Sequence, residues 1–116
     1  LLSIGTIADI VVKAVDLIKD PTTFSHYDLR FVKPLDTQLL HTIFKEYTNI
    51  ITIEDGAIKG GVGSAILEFA SENNYQQPIK VLGIPDIFIE HGSILKLQEK
   101  IGLDPLSLSK EFQNFI

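Results

Sequence analysis

Apolar positions along the chain fall into two alternating patterns, short β-branched runs and longer stretches at helical spacing. Leu1, Leu2 and Ile4 form a first buried-strand run that ends at Gly5. Thr6 then reads as a helix N-cap, with Asp9 three residues on approximating a capping box. Ile7, Ile10, Val11, Ala14 and Ile18 recur on one helical face, and Asp20-Pro21 stops the pattern. Tyr27 to Val32 reads as a second strand closed by Lys33-Pro34, because proline has no amide for the ladder. Asp36 caps a helix whose stripe is Leu39, Leu40, Ile43, Phe44 and Tyr47, ending near Asn49.

The segment Asn49 to Glu72 is the most informative. Ile50, Ile51 and Ile53 make a nearly continuous apolar run, the mark of a parallel strand covered on both faces, which Gly56 breaks. Gly60, Gly61 and Gly63 allow a tight turn into a helix that buries Val62, Ala65, Ile66, Phe69 and Ala70. Ile79 to Ile84 is a fourth strand ended by Pro85. A turn follows, Ser93 caps a short helix through Ile101 that stops at Gly102, and Asp104-Pro105 opens a last helix with Leu108, Phe112, Phe115 and Ile116 on its apolar side. Strand and helix alternate throughout, so the expected class is α/β, a three-layer α/β/α sandwich on a mainly parallel sheet of about four strands with right-handed crossovers. In such a sheet, ligand sites lie beyond the carboxyl ends of the strands, where Gly5-Thr6, Glu54-Asp55-Gly56 and Pro85-Asp86 are expected to gather.

Composition narrows the function classes. A length of 116 residues fits a single domain spanning 1–116, and 45% hydrophobic with 22% charged residues is ordinary for a soluble globular domain. Asp9, Lys13 and Asp16, with the glycines and prolines, interrupt every apolar window, so no membrane span and no signal peptide is expected. A net charge of -5 without a basic run argues against nucleic acid. The absence of cysteine removes disulfides and thiolate chemistry and suits a cytoplasmic protein, while His26, His41 and His91 are too dispersed for a metal site. The chain lacks methionine and begins directly in a strand, which suggests a piece of a larger protein.

Several residues carry candidate chemistry. The turn Gly60, Gly61, Val62, Gly63 and Ser64 precedes a helix, whose free amides and dipole could hold an anion with help from Lys59; it could equally serve only to bring helix and sheet together. Glu54 and Asp55 are adjacent in a strand, so their side chains should point to opposite faces rather than act as an acid–base pair, and a role as strand-end polar groups is expected. Asp86, His91 and Ser93 have the residue types of a hydrolase triad, but a turn with Asp86 on backbone amides and Ser93 as a cap explains them better. His26 and His41 are expected to be solvated. Arg30, charged among apolar neighbours, is expected to pair with a carboxylate or face a partner domain.

Three blocks resemble one family: RFVKPLD at Arg30 to Asp36, TIEDGAIKGGVGSAILE at Thr52 to Glu68, and GIPDIFIEHGS at Gly83 to Ser93. Together with LLSIGT at the start and GLD at Gly102 to Asp104, they are similar to the C-terminal domain of the 1-deoxy-D-xylulose-5-phosphate synthases, among the transketolase-like thiamine enzymes. The first two blocks also resemble the β components of 2-oxoacid dehydrogenases; the third is the more specific. Glu54-Asp55 stands where the family commonly has two glutamates, and Ile87 where it commonly has arginine. The resemblance implies a parent homodimer that requires thiamine diphosphate and magnesium, both held by preceding domains, and a C-terminal domain that packs and supports. No catalytic, cofactor or metal residue is expected in this chain, while Arg30, Glu54, Asp86 and His91 are candidate domain or dimer contacts. It also implies an antiparallel strand ahead of the one that begins here. The reading that competes from outside the family is an independent phosphate- or nucleotide-binding α/β module using the glycine turn.

Overall fold

A computed structural model of the chain describes residues 1–29, 34–57, 61–84 and 102–115. Its elements are β1 (Leu2–Ile4), α1 (Ile7–Asp16), a single 3-10 turn at Pro21–Thr23, β2 (Tyr27–Leu29), α2 (Thr37–Glu46), β3 (Ile50–Ala57), α3 (Val62–Glu72), β4 (Ile79–Ile84) and α4 (Pro105–Asn114). The four strands form one sheet in the order β2-β1-β3-β4, with every neighbouring pair parallel.

The alternation along β3 builds both faces of the sheet. Ile50 points into a core with Leu2, Leu40, Ile43, Phe44, Val62, Ile66 and Phe69, beneath α2 and α3. Ile51 and Ile53 point the other way, into a core with Ile7, Val11, Ala14, Leu108 and Phe112, beneath α1 and α4. The result is the expected three-layer α/β/α sandwich. Each buried Val, Leu, Ile or Phe among these contributes about 1.5–3 kcal/mol by leaving water. From β1 the chain moves to β2 with α1 on one face, then passes to β3 and β4 with α2 and α3 on the other. Parallel crossovers of one hand, run in opposite directions, produce that division. The order therefore reverses between β1 and β3, and the carboxyl ends of these two strands flank the switch point.

Several local expectations are corrected. Gly56 does not end β3, which continues to Ala57; instead the register against β4 shifts between Ile53 and Ala57. Helix α1 ends at Asp16, before Asp20-Pro21, and α2 ends at Glu46. Asp36 and Asp104 cap as expected, accepting from the Leu39 and Ser107 amides at 3.1 Å each. Thr6 occupies the N-cap position of α1, yet its hydroxyl makes no cap hydrogen bond. Helix α3 closes through Asn74, whose φ of 59° is the left-handed value of a C-terminal cap, and the Tyr75 amide reaches back to the Ala70 carbonyl at 2.9 Å. The second half of the expected strand after Leu29, and the turn and helix between Pro85 and Ile101, lie outside the described residues.

Candidate functional site at the sheet switch point

The site grows from the opposite directions taken by two adjacent acids. Glu54 follows the parity of Ile50 and Thr52 and turns beneath α3, where it is buried at 5% exposure. Its Oε2 accepts from the Val62 amide at 3.0 Å and its Oε1 from the Gly63 amide at 3.3 Å. Gly61 stands at the N-cap of α3 and has no side chain to cap with, so a carboxylate from the neighbouring strand does so instead. Two donors that the first helical turn leaves unpaired are thereby satisfied, and the negative charge sits at the positive end of the helix dipole.

Gly63 lets this happen at close range. A β-carbon there would overlap Val81 Cγ1 and come within 2.9 Å of Thr52 Oγ1, so the helix lies nearly in contact with β3 and β4. Thr52 is fully buried, and its hydroxyl has no hydrogen-bond partner among the described residues. The close approach leaves that oxygen no room for water, the local cost of the packing.

Asp55 turns to the opposite face and remains exposed. Its Oδ2 accepts from the Thr6 hydroxyl at 2.5 Å, which explains why Thr6 does not cap its own helix. Gly5 has φ of 87° and brings its backbone so close that an added β-carbon would stand 2.7 Å from Asp55 Oδ1. Thus the two acids at the end of β3 tie down the starts of two helices on opposite sides of the sheet. The anticipated divergence of Glu54 and Asp55 holds in this geometry.

Of the residues proposed for an anion site, Val62 and Gly63 offer amides that Glu54 already engages; Gly61 and Ser64 flank them, and Gly60 lies outside the described residues. An anion arriving there would have to displace a buried carboxylate. Glu54, considered as a domain or dimer contact, makes its hydrogen bonds within the chain. Arg30, Asp86 and His91, the other candidates of that kind, lie outside the described residues, as does Ser93.

His26 and His41 are not simply solvated. His26 Nε2 lies 2.6 Å from the hydroxyl of Ser3, a fully buried residue, and burial holds the imidazole below its ordinary pKa, opposed by Asp28. His41 Nδ1 lies 2.6 Å from the Tyr75 hydroxyl, and its ring packs edge-on against Phe69 at 4.9 Å. Sequence reasoning missed both pairs, and also the Thr6–Asp55 bond, because each joins residues far apart in the chain. The parity of β3 was the available signal for Glu54, since it sets that acid on the face where the uncapped glycine turn must begin its helix.

These features define a three-layer α/β domain in which Glu54 and Asp55, beside the switch point, bond to its own backbone amides and to Thr6. The Transketolase, C-terminal domain family model matches residues 1–108. The chain belongs to the transketolase C-terminal domain family. It is 48% identical over 113 residues to a 1-deoxy-D-xylulose-5-phosphate synthase of Parabacteroides distasonis, covering 97% of this chain and 18% of that protein. It is 44% identical over 115 residues to the enzyme of the same name from Cytophaga hutchinsonii, covering 98% of this chain and 18% of that protein. The chain thus spans less than a fifth of the length of these curated relatives. Among solved structures it is similar to one described as a split-gene transketolase, inactive β4 tetramer, with TM-score 0.83 and 26% identity over 98% of this chain and 37% of that one.

Family membership raises thiamine diphosphate and magnesium, and the described residues do not fit them. No group of three His, Asp or Glu side chains among them stands ready to hold a metal ion. The glycine turn, the feature most like a diphosphate cradle, has Glu54 on its amides. Likewise, no helix among the described residues is long and apolar enough to cross a membrane.

Proposed function

We propose that the chain is the C-terminal accessory, dimer-supporting domain of a 1-deoxy-D-xylulose-5-phosphate synthase. The whole enzyme would condense pyruvate with glyceraldehyde 3-phosphate, losing carbon dioxide, at the entry to non-mevalonate isoprenoid biosynthesis. Thiamine diphosphate and Mg2+ would be held by its other domains, and the parent would be a cytoplasmic homodimer. The observation that carries this reading is the 48% identity to the Parabacteroides distasonis synthase across 97% of the chain. The internal engagement of Glu54, Asp55 and Thr6 supports a supporting role over a chemical one, because these polar groups at the switch point are already bonded to one another or to backbone. On this reading Gly60, Gly61, Val62, Gly63 and Ser64 form a packing turn, while Arg30, Asp86 and His91 face a neighbouring domain or subunit.

The rival reading, an independent phosphate or nucleotide module, needs the two amides that Glu54 engages. Its replacement by an external anion would strand a buried carboxylate, an arrangement costing several kcal/mol.

The test is a chimera in which this chain replaces the corresponding C-terminal segment of the Parabacteroides distasonis synthase. The expected result is a dimer that makes 1-deoxy-D-xylulose 5-phosphate, where the same enzyme truncated before the segment does not. A chimera that melts cooperatively but neither dimerises nor turns over would overturn the assignment.

A further inference from the structure

Strand β2, described over Tyr27–Leu29, stands at one end of the strand order and pairs with β1. Its entry is fastened by two bonds to β1. The Tyr27 amide donates to the Leu1 carbonyl at 2.8 Å, and His26, immediately before the strand, meets Ser3 Oγ at 2.6 Å. Ser3 is fully buried, so its hydroxyl cannot turn to water if that partner is lost.

We propose that the Ser3–His26 hydrogen bond is a proton-operated latch, which holds β2 against β1 while the imidazole is neutral and releases β2 when the ring takes a proton. The chemistry follows from the donors available. With its proton on Nδ1, neutral imidazole presents Nε2 as an acceptor for the Ser3 hydroxyl. Imidazolium has N–H on both nitrogens and can only donate. The Ser3 hydroxyl hydrogen then loses His26 as its acceptor, on a side chain that water does not reach, and a buried donor left unpaired is costly. Opening β2 relieves that cost by bringing water to the Ser3 hydroxyl.

Among the described residues, the side-chain charge acting on the ring is that of Asp28, exposed on β2 and opposite Ser3 in register, which favours the imidazolium. Burial outweighs that charge and holds the imidazole below its ordinary pKa.

The test is native-state amide exchange at Tyr27, corrected for intrinsic rate, with Ile51 to Ile53 of β3 as the internal reference. Between pH 7.5 and 5, Tyr27 protection should fall about tenfold while β3 is unchanged, since the loss of a buried hydrogen bond is of that order. In Ser3→Ala, which has no hydroxyl to strand, the difference between the two pH values should vanish. An equal fall in Ser3→Ala, or no fall in the native chain, would overturn the latch. Should Ser3→Ala fail to fold, long-range 1H–15N spectra of His26 in the native chain decide. The latch requires the Nδ1–H tautomer above the titration midpoint and opening of β2 at that midpoint; the other tautomer, or titration without opening, overturns it.

Discussion

Glu54 and Gly63 act as a pair, one supplying the charge that caps α3 and the other the space that lets the helix reach it. Glu54→Gln keeps the volume but turns an NH2 donor toward one of two backbone donors, and should cost about 1–3 kcal/mol in urea unfolding. Gly63→Ala should cost about 1–3 kcal/mol by overpacking against Val81 and Thr52. Adding Val81→Ala should recover part of that loss, so a double-mutant cycle giving simple additivity would refute direct contact as the cause. His26 supplies a pH dependence at the same scale. Its folded pKa lies below the ordinary 6.5, so the unfolded chain binds more protons through that range. The contribution is fully present above about pH 6.5 and is lost as pH falls through the folded value. Urea midpoints measured from pH 8 to 5 should decline in the native chain and decline less in His26→Gln.

The helices and strands show which parts of the structure can be read locally. Asp36 and Asp104 cap α2 and α4 three residues ahead of the amides they accept from, a relation contained within each segment. Asp104→Ala should therefore cost about 1 kcal/mol. Burial alone would raise the Asp104 pKa, but hydrogen bonding from Ser107 outweighs it and holds the carboxyl below its ordinary 3.8. That increment is present above pH 3.8 and is lost as pH falls through the lower folded value; acid unfolding should begin at higher pH in Asp104→Asn. By contrast, Thr6 has the residue type, place and downstream acid of a cap, yet its hydroxyl goes to Asp55, 49 positions away. Local propensity cannot anticipate that competition, because it depends on which strand lies beside β1. Gly56 is similar: a glycine inside a strand pattern can end the strand or bend it, and pairing with β4 carries β3 past it with a shifted register.

At the scale of the whole molecule, alternation of strand and helix was enough to foretell the three layers, but not the strand order that sets the switch point. Periodicity in β3 also foretold that Glu54 and Asp55 would diverge. It could not say what each would meet, since the helix starts they secure arrive from different parts of the chain. The two acids and the start of α3 fasten α1 and α3 to the two sides of the sheet. The chain spans 18% of the Parabacteroides distasonis relative, so its role is tested best within an enzyme of that length.

The most direct measurement is kcat, per folded active site, of the chimeric synthase carrying Thr6→Val, Glu54→Gln or Asp55→Asn in turn, read beside its melting temperature. A supporting domain predicts lower melting temperatures with kcat held within about twofold, because these groups stabilise the fold and touch no reacting atom. A variant that stays folded and dimeric while kcat falls a hundredfold or more, about 2.7 kcal/mol of lost transition-state stabilisation, would contradict it.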